Sequence, residues 1–193
     1  MKLFVFGLGY SALRYALSSG AASIAGTTRS EARIAALGAR DVDGHVFDGH
    51  RAGPGLAAAL AACDALLVSA PPDGDGDPAL RVCGEAIAAA PVARIVYLST
   101  IGVYGDRAGA WVDETSAPAP GNERSQDRLR AENDWLELAA RTGKRVDVLR
   151  LSGIYGPGQN ALVNLRQGVA RRIVKKGQVF NRIHVDDIAR AVA

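Results

Sequence analysis

The chain has 193 residues, 48% hydrophobic and 22% charged, a balance typical of a globular domain with its own core. A net charge of +3 and only 6% aromatic residues argue against a nucleic-acid-binding surface. The longest apolar stretch, 56–70, is too short to span a membrane, and the chain opens on a strand; a cytoplasmic protein without a signal peptide is predicted. Cys63 and Cys83 lack a metal or redox motif and are predicted to be buried free thiols.

Apolar runs and helix-forming segments alternate along the whole chain. The predicted strands are 2–6, 23–28, 45–48, 65–69, 94–99 and 145–151, and the predicted helices are 11–19, 31–37, 55–62, 79–90 and 125–141. The segment 65–69 is apolar throughout, as is usual for a parallel strand buried on both faces. This alternation predicts an α/β fold with a doubly wound parallel sheet and right-handed crossovers.

The turn after the first strand carries a dinucleotide-binding pattern. Residues 7–12 have the spacing G-x-G-x-x-A between a predicted strand and a predicted helix. The first glycine suits a tight turn, the second lets backbone approach a pyrophosphate, and the alanine lets the helix pack on the strand. The helix N-terminus offers N–H groups to phosphates. The alternative is a purely structural glycine turn. The predicted cofactor-binding residues here are Gly7, Gly9, Tyr10, Ser11 and Ala12.

The end of the second strand indicates which dinucleotide is bound. An NAD site places an acidic residue about twenty positions after the first glycine, where this chain has Thr27. Arg29 stands where a 2′-phosphate would lie, and the hydroxyls of Thr28 and Ser30 can add hydrogen bonds. The pattern favours NADP over NAD in a single NAD(P)-binding Rossmann domain over residues 1–193. The alternative is a solvated Arg29 that precedes the next helix.

Later segments resemble a known family. The segment 95–106 (IVYLSTIGVYGD), the pair Asp113-Glu114, the segment 150–158 (RLSGIYGPG) and the segment 182–189 (RIHVDDIA) occur in the family's order. They resemble motifs of the extended short-chain dehydrogenases/reductases, the group of nucleotide-sugar epimerases and dehydratases. The resemblance spans nearly the whole chain and implies a nicotinamide cofactor.

The resemblance also implies a catalytic set, which this chain matches only in part. The family uses a hydroxyl after strand five, a Tyr as general acid/base and a Lys four residues later; Thr100 takes the first place. Alignment on Glu132 puts Arg128 at the Lys position and Arg124 at the Tyr position, so the Tyr-x-x-x-Lys pair is absent. A guanidinium stays protonated to about pH 12 and cannot be a general base. Arg128 can still hold ribose hydroxyls, Arg124 can hold an anionic substrate group, and Tyr104 is a candidate replacement acid.

Further expectations follow from the same resemblance. Asp48 would face the adenine, and Ala70 with Pro71 would line the adenine-ribose side. A homodimer through helices 79–90 and 125–141 is implied. Asp186 and Asp187 are expected to cap a helix that starts near Ile188.

The C-terminal third carries the remaining expectations. Family members continue past the HVDD segment into a small substrate domain, so either this lobe is reduced here, with 156–181 as its remnant, or a tail lies outside these 193 residues. Asn160 and Asn164 are candidate substrate contacts. The basic group Arg171, Arg172, Lys175 and Lys176 is either a solvated helix end or a contact for a phosphorylated substrate.

The sequence is compatible with three functions. The first is an atypical NADP(H)-dependent oxidoreductase or epimerase/dehydratase-like enzyme, acting on an unknown small molecule with non-standard acid/base residues. The second is an inactive NADP(H)-binding sensor or regulatory module. The third is a structural subunit of an assembly, against which the intact glycine-rich turn and Arg29 argue.

Overall fold

Six parallel strands form the centre of the fold, in the order β3-β2-β1-β4-β5-β6. The computed structural model of the chain describes residues 1–172, 174, 177 and 179–193. The strands are β1 (Lys2–Phe6), β2 (Ser23–Thr28), β3 (Val42–Val46), β4 (Ala65–Val68), β5 (Arg94–Thr100) and β6 (Arg145–Leu151). The strand order reverses between β1 and β4, which opens a crevice at their carboxyl ends, where open α/β sheets bind ligands. The predicted doubly wound Rossmann-type sheet is confirmed.

Helices cover both faces of this sheet. They are α1 (Tyr10–Ser18), α2 (Ala32–Gly38), α3 (Leu56–Ala62), α4 (Pro78–Ala89), α5 (Glu123–Thr142), α6 (Ala161–Arg166) and α7 (Val185–Val192). On one face α3, α4 and α5 pack around Phe4, Tyr97 and Trp135; on the other, α1, α2 and α7 pack around Val5 and Leu67. The predicted free thiols, Cys63 and Cys83, are buried in the first of these cores. The homodimer through α4 and α5 stays a prediction.

A buried carboxylate connects two of these helices. Asp77 caps α4 by accepting hydrogen bonds from the backbone N–H groups of Ala79 and Leu80, and Pro78 occupies the first helical position. Its second oxygen accepts a 3.1 Å hydrogen bond from the indole nitrogen of Trp135 in α5. Burial raises the pKa of Asp77. The loop after β4 is thereby fixed to the helix that follows β5.

Two predicted element boundaries are wrong. Strand β3 lies at Val42–Val46 rather than 45–48, so Asp48 falls beyond the strand. Helix α7 begins at Val185, not near Ile188, and its cap is His184, whose ring Nδ1 accepts from the backbone N–H of Asp186. The Asp186 carboxylate instead pairs with Arg14 at 2.6 Å. A long-range ion pair between α7 and α1 therefore replaces the expected local cap.

The C-terminal segment contains small elements that the sequence analysis did not predict. Strands β7 (Gly153–Tyr155) and β8 (Arg182–His184) form a separate parallel pair, with α6 between them in the chain. Asn160, a candidate substrate contact, caps α6 by accepting from the N–H of Val163. Arg171 and Arg172 are exposed, whereas Lys175 and Lys176 lie outside the described residues. Whether 156–181 is the remnant of a substrate lobe stays a prediction.

Asp147 on β6 neutralises two arginines and should make stability depend on pH. Arg94 and Arg145 are direct partners across β5 and β6, and Asp147 contacts both, at 2.8 and 2.9 Å. Burial alone would raise the pKa of Asp147, but hydrogen bonds from the two guanidinium groups outweigh it and hold the pKa below its ordinary value of 3.8. The stabilising contribution is then present above that value and lost as the pH falls through the lowered pKa.

We therefore expect Asp147→Asn to lower the free energy of unfolding at pH 7 and to have progressively less effect as the pH falls below 4. Urea unfolding at several pH values checks this, with Glu114→Gln at an exposed position as the control. An Asp147→Asn effect that is independent of pH would contradict it.

Among the described residues, no helix is both long enough and apolar enough to cross a membrane.

Candidate functional site

The turn between β1 and α1 is hydrogen-bonded to the end of β2. The N–H of Gly7 donates to the hydroxyl of Thr27, and the N–H of Leu8 donates to the carbonyl of Thr27, both at 2.8 Å. Gly7 has φ +85°, and a Cβ there would lie 2.8 Å from the backbone nitrogen of Ala70. Glycine is needed because the turn combines a left-handed backbone with close contact to the chain after β4. The predicted role of Gly7 in a tight turn is confirmed.

The second glycine of the turn has open space beside it. Gly9 has φ −82° and ψ −166°, values that any residue adopts, and a Cβ there would meet only the carbonyl oxygen of Gly7, at 3.9 Å. Helix α1 begins at the next residue, and Ser11 and Ala12 are buried in its first turn. The absence of a side chain at Gly9 therefore leaves the helix N-terminus accessible, which is where a pyrophosphate binds in folds of this kind.

A cavity of about 330 Å³ lies over the carboxyl ends of the strands next to this turn. Seven predicted cofactor-binding residues line it: Gly7, Gly9, Thr28, Arg29, Asp48, Ala70 and Pro71. The other lining residues were not predicted from the sequence: Leu8, Thr27, Arg33, Phe47, Gly49, Ser69, Pro72, Asp73 and Pro78. The cavity thus connects the glycine-rich turn with the ends of β2, β3 and β4.

Arg81 connects two loops that line the cavity. Arg81 on α4 pairs with Asp73, at 2.8 Å to Oδ1, and also donates to the carbonyl of Gly49. Asp48, beside Gly49, accepts hydrogen bonds from the backbone N–H groups of His50 and Arg51, which hold the pKa of its carboxyl below the ordinary value. Asp48 is therefore an ionised acceptor that lines the cavity.

Two arginines line the cavity beside Thr28. Arg29 follows β2 directly, and Arg33 lies on α2, where its Nη2 donates to the carbonyl of Leu8 at 2.9 Å. Within the described part of the chain, neither arginine is paired with a carboxylate. Arg33 was not predicted from the sequence; the available signal was a second arginine in the first turn of the helix that follows β2.

The residues predicted for the reacting centre lie at the end of β5. Thr100 caps a short 3₁₀ helix (Ile101–Tyr104) by accepting from the N–H of Gly102 at 3.1 Å. A Cβ on Gly102 would lie 2.9 Å from the hydroxyl of Ser125 and 3.4 Å from that of Thr100. Both hydroxyl groups thus lie beside Gly102, and Ser125, in the first turn of α5, was not among the residues predicted from the sequence.

The positions aligned with the family's Tyr and Lys are occupied by Arg124 and Arg128. Arg124 is exposed at the start of α5. Arg128 is half-buried and donates 3.1 Å hydrogen bonds to the hydroxyl of Tyr97 and the carbonyl of Leu98. Its guanidinium also lies 5.6 Å from the centre of the Tyr97 ring, and burial raises the pKa of that tyrosine. Arg128 is thus anchored to β5.

Behind the reacting centre lies a buried charged network. Glu132 is 2% exposed, accepts from the hydroxyl of Ser99, and binds Arg150 through two nitrogens, with Nη2 at 2.8 Å. The hydrogen bond to Glu132 raises the pKa of Arg150. The Arg150 guanidinium lies 4.8 Å from the centre of the Tyr104 ring. Tyr104, the candidate replacement acid, is buried against this fixed positive charge.

Tyr10 connects the glycine-rich turn to the YGPG segment. Its hydroxyl donates to the carbonyl of Pro157 at 3.0 Å. A Cβ on Gly156 would lie 2.5 Å from that hydroxyl and 3.3 Å from Nε2 of His184, so this approach requires glycine. The side chain of Tyr10 thus contacts the YGPG segment, and its backbone forms the first residue of α1.

The parallel sheet, the glycine-rich turn and the cavity at the switch point define a Rossmann-type dinucleotide-binding fold. Residues 79–193 match the sequence model of the NAD dependent epimerase/dehydratase family. The chain belongs to this family, as its later motifs predict.

Similar proteins are longer than this chain. Protein YeeZ of Escherichia coli K12 is 27% identical over 208 residues, which cover 99% of this chain and 71% of YeeZ. A functionally unknown conserved protein from Silicibacter pomeroyi DSS is 39% identical to this chain, with a TM-score of 0.86. The match covers 99% of this chain and 66% of the Silicibacter chain. A DesIV double mutant, a dTDP-glucose 4,6-dehydratase from Streptomyces venezuelae solved with NAD, is 20% identical with a TM-score of 0.80, over 100% of this chain and 70% of DesIV. The likeness to DesIV shows the fold alone.

Proposed function

We propose that this protein binds NADP(H) at the carboxyl edge of its sheet and acts as an oxidoreductase or epimerase/dehydratase-like enzyme with non-standard acid/base residues. The observation that carries the proposal is the cavity that joins the glycine-rich turn at Gly7 and Gly9 to Arg29. Family membership supports a nicotinamide cofactor. The preference for NADP rests on Arg29 and on the absence of an acidic residue at the end of β2.

The residues present fit a dinucleotide at both of its charged groups. The open space at Gly9 and the N-terminus of α1 suit the pyrophosphate. The guanidinium of Arg29, with no carboxylate partner among the described residues, suits a 2′-phosphate, to which it can donate two parallel hydrogen bonds. Asp48 and Pro71 line the cavity where the adenosine would bind.

A nicotinamide cofactor, when bound, supplies hydride transfer to or from a carbon atom of the substrate. This chain would orient a substrate oxygen through the hydroxyl of Thr100, with that of Ser125 close by. Tyr104 is the proposed proton donor, because it lies at the end of the short 3₁₀ helix that Thr100 caps and is thus the phenol nearest to Thr100 along the chain. Arg124, exposed at the start of α5, would bind an anionic group of the small-molecule substrate.

A second candidate function is an NADP(H) sensor without turnover. Arg128 favours it, because the guanidinium expected at the ribose is engaged with Tyr97 and Leu98. A sensor would bind the oxidised and reduced cofactors with different affinities and would not interconvert them.

Calorimetric titration with NADP, NADPH, NAD and NADH tests the proposal. We expect micromolar binding of NADP(H) and much weaker binding of NAD(H), because only the former carries the 2′-phosphate. Absence of binding by all four would contradict the proposal.

Thr100→Val and Tyr104→Phe then separate the two candidate functions. An enzyme should bind NADP(H) normally in both variants and lose its turnover. For an oxidoreductase, turnover is net oxidation of NADPH by a carbonyl substrate; for an epimerase/dehydratase-like enzyme, it is conversion of the substrate without net loss of the cofactor. A sensor should show neither reaction even in the unaltered protein.

A further inference from the structure

We propose that Arg33 couples the 2′-phosphate end of the cavity to the glycine-rich turn. Arg33 would then contribute both to NADP selectivity and to the affinity for any dinucleotide, whereas Arg29 would contribute to selectivity alone. This inference rests on the proposed NADP(H) binding and assigns different roles to two arginines of the same cavity.

Both backbone polar groups of Leu8 are hydrogen-bonded to neighbouring elements. Its N–H donates to the carbonyl of Thr27 at 2.8 Å, and its carbonyl accepts from Arg33 Nη2 at 2.9 Å. Leu8 is the residue between the two glycines of the turn, and its side chain is 1% exposed. The backbone of the turn is therefore held from β2 on one side and from α2 on the other.

The cavity is lined by two arginines that can bind an anion. A guanidinium has five N–H donors, and Arg33 uses one of its nitrogens on the carbonyl of Leu8, which leaves donors for an anion in the cavity. Asp48 lines the same cavity, but one of its oxygens accepts from the N–H groups of His50 and Arg51. Arg29 and Arg33 thus present two positive charges beside Thr28, with no carboxylate of the described residues paired to either.

Loss of each arginine should have a different consequence. Arg29 has no hydrogen bond to the turn, so its removal takes away only a donor to the 2′-phosphate. Removal of Arg33 takes away such a donor and also frees the carbonyl of Leu8. The turn would then be less well ordered for the pyrophosphate that every dinucleotide carries.

Calorimetry on Arg29→Ala, Arg33→Ala and the unaltered protein, each with NADP and NAD, tests the coupling. For Arg29→Ala we expect the Kd for NADP to rise about 10- to 100-fold and the Kd for NAD to change less than about 2-fold. For Arg33→Ala we expect a similar or larger rise for NADP and also a rise of about 3- to 10-fold for NAD. Titration with 2′,5′-ADP, which lacks the nicotinamide half, should follow the NADP results.

Arg40→Ala, just beyond the end of α2 and exposed, is the control and should bind both dinucleotides like the unaltered protein. Thermal unfolding without ligand establishes that each variant is folded. If the unaltered protein binds NADP and Arg33→Ala leaves NAD binding unchanged, the coupling is overturned, whatever happens to NADP. If the unaltered protein binds neither dinucleotide, the proposed function itself fails.

Discussion

Replacement of Gly9 by valine is expected to abolish dinucleotide binding while the fold stays intact. The backbone of Gly9 has φ −82°, which valine adopts, and a Cβ there would meet only the carbonyl of Gly7 at 3.9 Å. The side chain would project into the space next to the N-terminus of α1, where the pyrophosphate is proposed to bind. We expect the Kd for NADP to rise more than about 100-fold in calorimetry, with an unchanged melting temperature.

Two glycine variants serve as matched controls for this result. Gly121→Val lies outside the cavity, where a Cβ meets nothing within 4 Å, and should change neither stability nor binding. Gly7→Ala should instead lose about 1–3 kcal/mol of stability, because φ is +85° and the new Cβ would lie 2.8 Å from the backbone of Ala70. Normal NADP binding by folded Gly9→Val would show that the cofactor site is assigned wrongly.

The largest expected loss of stability follows from removal of Glu132. Glu132→Ala leaves the guanidinium of Arg150 and the hydroxyl of Ser99 without their buried partner. Removal of one partner of a buried ion pair lowers the free energy of unfolding by about 3–5 kcal/mol. We expect a loss at the lower end of this range, because 21% of the Arg150 side chain is exposed. For a domain of this size, about 3 kcal/mol corresponds to a fall of about 6–12 °C in the melting temperature, measured by calorimetry.

Glu137→Ala on the exposed side of the same helix is the control and should stay within about 0.5 kcal/mol of the unaltered protein. An equally small effect of Glu132→Ala would mean that water replaces the carboxylate at little cost and that the network does not hold Arg150 beneath Tyr104.

The fold could be predicted from the sequence because its signals are local. The apolar segment at Ala65–Val68 forms β4 in the sheet, and the turn at 7–12 lies between a strand and a helix, as predicted. Strand periodicity and glycine spacing involve residues only a few positions apart, so these patterns can be recognised from the sequence. The small pair of strands β7 and β8 was missed because each has only three residues, too few for a periodic pattern.

The predicted cap of helix α7 was wrong because a residue distant in the sequence contacts one of the predicted capping residues. The two carboxylates before Ile188 looked like a helix cap, but Asp186 pairs with Arg14, 172 positions away, and His184 caps the helix instead. Several nearby acceptors can cap a helix, and here the Asp186 carboxylate faces Arg14 while the His184 ring accepts from the backbone.

The parallel sheet, its glycine-rich turn and the arginine after β2 follow from apolar periodicity, glycine conformation and charge, which are properties of short segments. The contacts of Arg33 with the carbonyl of Leu8, of Arg128 with Tyr97 and of Glu132 with Arg150 became visible in the folded chain. These pairs are 25, 31 and 18 residues apart. Each depends on how a helix packs on a strand or turn that is distant in the sequence, and no short segment encodes that packing.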